Sequence, residues 1–187
     1  QAFDPPENVE IQAHAEMARI YATNLGEPLL AFEAADRARQ LIEAAFATSA
    51  SPVSAFDAAL IYDRLAGLAA DLNRPFEALE WWDKALRALS ESGSDSAVRV
   101  QAAKRRVLSH RAEIFNRVGD FGASLADWNE VSSLLPPTVA NFRLAEPIQK
   151  AEWLAAVAWT HMLLGSRDRA LTLARDAVAE FRREDAG

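Results

Sequence analysis

Apolar residues recur along the chain at three- and four-residue steps, interrupted at regular intervals by short polar turns. Around one such turn Leu65, Leu68, Ala69 and Leu72 come before it, and Ala78, Leu79, Trp82, Ala85, Leu86 and Leu89 after it. That is the period of two amphipathic helices whose apolar stripes face each other. The turn between them, Leu72-Asn73-Arg74-Pro75, has counterparts at Leu25-Gly26-Glu27-Pro28, Val118-Gly119-Asp120-Phe121 and Leu164-Gly165-Ser166-Arg167. Gly or Asn suits the left-handed position just past a helix C-terminus. The residues that follow supply an N-cap (Asp120, Ser166) or a first-turn proline (Pro28, Pro75).

Each turn leads to a small residue, at Ala31, Ala78, Ser124 and Ala170, and these lie 47, 46 and 46 residues apart. A fixed period of this length marks a repeat architecture. Breakers separate the units at Ser49-Ala50-Ser51-Pro52, at Ser90 to Asp95, and at Pro136-Pro137-Thr138. The pattern predicts helices at about 8–25, 28–47, 52–72, 75–91, 95–118, 120–135, 147–164 and 167–183. Residues 138–146 are left unassigned because Pro147 disfavours helix directly before it. The expected organisation is a single domain over 1–187 with units at about 8–47, 52–91, 95–135 and 138–183.

Composition supports an autonomous helical fold: 50% of the 187 residues are hydrophobic and 25% charged, with only 7 Gly and 8 Pro. The net charge of −7 argues against a dedicated binder of nucleic acid or anionic membrane, which would need surplus Lys and Arg. The absence of Cys removes disulfides, thiolate metal sites and cysteine nucleophiles. No run of about 18 uncharged apolar residues occurs, so no membrane insertion is expected. A cytoplasmic location is expected; the start at Gln1 instead of Met points to trimming, which leaves room for a removed leader.

The residues around the turns resemble the tetratricopeptide repeat (TPR) family. In the second unit Tyr62, Leu65, Ala66, Ala78, Trp82 and Ala85 follow its pattern. In the third Leu108, Ala112, Phe115, Ser124, Trp128, Val131 and Pro136 do so, with Arg111 where Leu is expected. The fourth matches through Leu154, Val157, Ala158, Ala170 and Ala177, with His161 and Ala174 in the two aromatic slots. The first matches through Leu25, Gly26, Ala31 and Ala38. TPR units ordinarily span about 34 residues, so this chain is similar to the long-helix variants found in bacterial regulators, peptide-sensing Rap-type proteins and kinesin light chains. The resemblance implies an all-α, right-handed α-α superhelix (a TPR-like solenoid) of four antiparallel helix pairs. It further implies a protein–protein or protein–peptide interaction module, an adaptor or scaffold, that holds a partner segment in a concave groove lined by the first helix of each pair.

Read by that register, the groove residues are Glu16, Ile20, Asp63, Asp71, Arg106, Glu113, Asn116, Arg117, Trp159 and Met162. This lining is acidic in the first two units, polar and partly basic in the third and apolar in the fourth. The clamp by which some family members hold an acidic C-terminal peptide needs Lys, Asn and Arg at set positions. Glu16, Ile20, Asp63, Gly67, Arg106 and His110 stand there instead, so that ligand is excluded. Arg99, Lys104, Arg105, Arg106, Arg111 and Arg117 make the third unit locally basic, which fits a solvated face paired with nearby acids better than a nucleic-acid surface.

Candidate chemistry is sparse. His14, His110 and His161 fall in three different units, and Glu10 with His14 supplies only two of the three or more protein ligands a zinc site needs. Asp57 and Asp63 have no phosphate loop or nucleophile elbow near them, and Asp95-Ser96 and Ser132-Ser133 read as capping. No catalytic residue, metal or cofactor is assigned. A sensory or regulatory repeat domain of a larger signalling protein, responding to a peptide or small ligand, is the alternative reading. A metal-binding helical-bundle enzyme ranks last. The final helix carries Leu171, Leu173, Ala174, Ala177, Val178 and Phe181 around more than one stripe, so its outward side should meet a second copy, a downstream segment or the partner; homodimerisation is favoured.

Overall fold

The computed structural model describes residues 7–47, 54–93, 96–134 and 146–184. Eight α-helices are found among them: α1 (Glu7–Ile20), α2 (Pro28–Ala47), α3 (Ala55–Asp71), α4 (Pro75–Glu91), α5 (Ala97–Val118), α6 (Phe121–Ser133), α7 (Glu146–Leu163) and α8 (Arg167–Glu184). No strand occurs among the described residues. The chain divides into two compact units, 1–107 and 108–187, with the division falling within α5.

The four turns lie where the sequence places them. Gly26, Asn73, Gly119 and Gly165 have φ of 64, 58, 87 and 77°. The last three share one hydrogen-bond pattern. The N–H of Arg74, Asp120 and Ser166 reaches back to the carbonyl of Ala69, Phe115 and His161, while the N–H of Asn73, Gly119 and Gly165 bonds Ala70, Asn116 and Met162. This is the Schellman closure, which needs a left-handed residue at its centre. The first turn is wider. Tyr21–Leu25 winds as a π-helical turn, and the N–H groups of both Gly26 and Glu27 converge on the Tyr21 carbonyl. Nothing in the apolar period marks that change.

Starts are set locally too. Asp120 accepts from the Ala123 N–H, Pro75 occupies the first turn of α4, and Ser54 accepts from the Asp57 N–H. The Ser54 cap starts α3 at Ala55, three residues after the expected start. Pro147 sits in the first turn of α7, where its missing N–H costs nothing. Residues 138–145 lie outside the described residues.

Within the first unit α1 packs on α2 and α3 on α4, with α1 also against α3. Ala18, Ala31, Ala34 and Leu68 form a buried cluster where α1, α2 and α3 meet. In the second unit α7 packs on α8 and α6 on α7. The Trp153 indole N–H donates to the Trp128 carbonyl at 2.9 Å. The four periodic small residues are all at the core: Ala31, Ala78 and Ser124 are fully buried, and Ala170 nearly so. Helices approach closely only where such side chains are short.

The third unit's departure from the pattern has a structural explanation. Arg111 stands 46 residues after Leu65, and Asp127 stands 46 after Trp81. In the first unit Leu65 and Trp81 are both buried and line one small cleft. In the second, Arg111 donates to both oxygens of the buried Asp127 at 2.8 and 2.6 Å. A two-pronged ion pair therefore replaces an apolar pair at the same repeat positions.

Candidate partner-binding surface

In the first unit, the groove positions fall into two kinds. Ile20 and Asp71 are exposed. Glu16 is held by Arg19, whose Nε lies 3.1 Å from Oε1, and Arg64 approaches its other oxygen at 3.8 Å. The hydrogen bond from Arg19 lowers the Glu16 pKa below the ordinary carboxylate range.

Asp63 is buried instead. Its Oδ1 accepts from the Trp82 indole at 2.9 Å and its Oδ2 from Arg106 Nε at 2.7 Å. A carboxylate removed from water is stable only with such partners, so Asp63 and Arg106 join α3, α4 and α5 within this unit. Repeat register alone could not reveal this, because the partners lie 19 and 43 residues away. Indole donors and guanidiniums without an obvious acid nearby in sequence are the only advance signal.

The remaining residues lie on α5 and α7 of the second unit. Glu113 and Arg117 are exposed on α5. Asn116 donates from Nδ2 to Thr160 Oγ1 at 2.8 Å, and Thr160 in turn donates to the Ala156 carbonyl. Thr160, fully buried on α7, was not singled out by sequence; it fixes α7 against α5. On the neighbouring exposed positions Trp159 is 61% accessible and Met162 47%. They open onto an apolar cleft of about 400 Å³ between α7 and α8, shared with Leu171, Ala174, Val178 and Phe181.

The basic stretch of α5 is engaged within the protein. Arg99 lies 4.5 Å from the Phe56 ring, Arg106 pairs with Asp63 and Arg111 with Asp127. His14 Nε2 stands 3.9 Å from Glu10, and among the described residues no three metal-ligating side chains cluster. Among the described residues no helix is long and apolar enough to cross a membrane.

With this geometry in view, the crystal structure of MamA, a TPR-like protein, superposes on 95% of this chain and 81% of its own at a TM-score of 0.63 and 11% identity. The fold is TPR-like. The crystal structure of BtubC (BKLC) from P. vanneervenii aligns over 98% of this chain and 94% of its own at 16% identity, but at a TM-score of 0.42 it carries no weight. No protein-family model matches the chain, and no curated protein matches it in sequence. The likeness to MamA covers nearly the whole chain at an identity too low to speak of more than the fold.

Proposed function

We propose that the 187 residues work as one protein–peptide interaction module, and that a partner segment docks on the first-helix faces. The observation that carries the reading is the exposure of Trp159 and Met162 on α7 at the mouth of an apolar cleft, with Glu113 and Arg117 exposed on α5, which Asn116 ties to Thr160 of α7. Large apolar side chains left in water at the mouth of an apolar cleft, with charge at the rim, are how interaction hot spots are built. The partner that fits is a segment with one or two apolar anchors flanked by charges of both signs. The first unit offers its own first-helix face, Glu16, Ile20 and Asp71, while Asp63 and Arg106 hold that face in shape. Residues Leu171, Val178 and Phe181 of α8 line the other wall of the cleft beside Trp159 and Met162, a face suited also to a second copy of the chain, which would then compete with the partner segment.

Affinity capture from the native host with the intact chain as bait, followed by mass spectrometry and titration of the captured partner, tests this. Trp159→Ala should weaken the partner by about thirtyfold and Arg117→Ala by a smaller factor, with helix content unchanged. Parent-like affinity in both variants would remove the α5/α7 face as the docking surface.

A further inference from the structure

Exposed side chains on α8 keep a stricter spacing than the core requires. Leu171, Ala174, Val178 and Phe181 follow one another at steps of three, four and three residues, the register of a helix-to-helix seam. All four are exposed, the large ones by 50, 47 and 41% in chain order. The same helix separately buries Ala170, Leu173 and Ala177 against its own unit. The seam is thus a second apolar stripe, exposed along the α8 wall of the cleft that Trp159 and Met162 of α7 share.

Charge along the seam says what covers it. Asp168, Arg175 and Arg182 run beside it at exact seven-residue steps, all exposed and none in an ion pair among the described residues. The opposite flank runs Ala170, Ala177 and Glu184 at the same steps, its first two positions buried and uncharged. A flank that begins acidic and ends basic matches a reversed copy of itself. Run antiparallel, Asp168 of each copy meets Arg182 of the other; run parallel, the charged flank of each copy faces the Ala170 and Ala177 flank of the other and finds no such partner. Electrostatic matching of this kind sets partner and orientation more than it sets affinity.

Resting on the reading of α8 as a face for a second copy, we infer that α8 joins two copies of this chain antiparallel about a two-fold axis. Leu171 packs by Phe181, and Ala174 by Val178, of the second copy, and two Asp168–Arg182 pairs flank the seam. The contact is self-complementary, as a two-fold interface must be. Arg175 falls at the midpoint and faces its own counterpart, a like-charge contact that weakens the dimer without setting its direction.

Sedimentation equilibrium of the intact chain over a micromolar concentration series tests the inference, with circular dichroism confirming that substitutions at these exposed sites leave the fold intact. The parent should show a monomer–dimer equilibrium. Arg182→Glu and Asp168→Arg should each weaken it by about tenfold or more, the double reversal Asp168→Arg/Arg182→Asp should return to within about threefold of the parent, and Arg175→Gln should tighten it. A parent that stays monomeric throughout overturns the second copy as occupant. A dimer indifferent to the single reversals, or a double reversal no tighter than they are, overturns the antiparallel register while leaving the α8 face.

Discussion

Replacing Asp127 by Leu removes the acceptor of the two hydrogen bonds that Arg111 donates to it, at a site where the Arg111 side chain keeps only 17% of its exposure. Breaking a buried ion pair by deleting one partner typically costs about 3–5 kcal/mol. The lower end applies here, about 3 kcal/mol, because Arg111 retains a route to water and lies 5.6 Å from the Phe115 ring. The second repeat carries Leu65 and Trp81 at the matching positions, so an apolar pair is compatible with the architecture. The double variant Arg111→Leu/Asp127→Leu should then come within about 1 kcal/mol of the parent, since well-packed apolar residues often replace buried ion pairs without loss. Urea unfolding of the four members of the cycle, followed by far-ultraviolet dichroism, reads this out. The single Asp127→Leu midpoint should fall by about 1 M and the coupling should be about 2 kcal/mol or more. Additive losses in the double variant would refute the idea that the two pairs are interchangeable solutions at one repeat position.

Ser124 is fully buried where the other three units have Ala, and its Oγ has no hydrogen-bond partner among the described residues. Ser124→Ala should therefore leave the melting temperature unchanged or raise it by a few degrees, whereas Ser124→Val should lower stability by about 1–3 kcal/mol through overpacking. Gly119 has a φ of 87° and a Cβ there would touch nothing within 4 Å. Gly119→Ala should cost about 1–2 kcal/mol in thermal unfolding, all of it backbone strain. Burial, with a smaller contribution from the Glu43 charge, pushes the Tyr62 pKa up to about 12. A raised folded pKa keeps its stability below the unfolded value near 10 and loses it as pH rises from there through the folded value. Phenolate absorbance should thus show a step near pH 12 that is missing in Tyr62→Phe, and a step near 10 in its place would show Tyr62 to be solvated.

The helix ends were legible because they depend on single local residues. Gly26, Asn73, Gly119 and Gly165 can hold positive φ, and Pro28, Pro75 and Asp120 can start a helix, whatever packs around them. The π-helical turn at Tyr21–Leu25 left no trace, since it closes at Gly26 and no later turn of the same helix follows to show a shifted apolar period. At the candidate surface, register gives Trp159 and Met162, which are exposed, the same standing as Asp63, which is buried. Exposure there depends on Trp82 and Arg106, distant in sequence and brought near only by packing. Arg111 stands where the repeat expects Leu, and its partner Asp127 explains why; the 46-residue offsets of Arg111 from Leu65 and of Asp127 from Trp81 are the sequence signal of the exchange.

Site-specific photocrosslinking in the native host tests the central claim most directly. A photoreactive residue is placed at Trp159 or Met162 on α7, and for comparison at the exposed Arg37 and Glu80 of second helices. One and the same partner protein should crosslink from both α7 positions and not from Arg37 or Glu80. Equal crosslinking from all four positions, or none from α7, would contradict it.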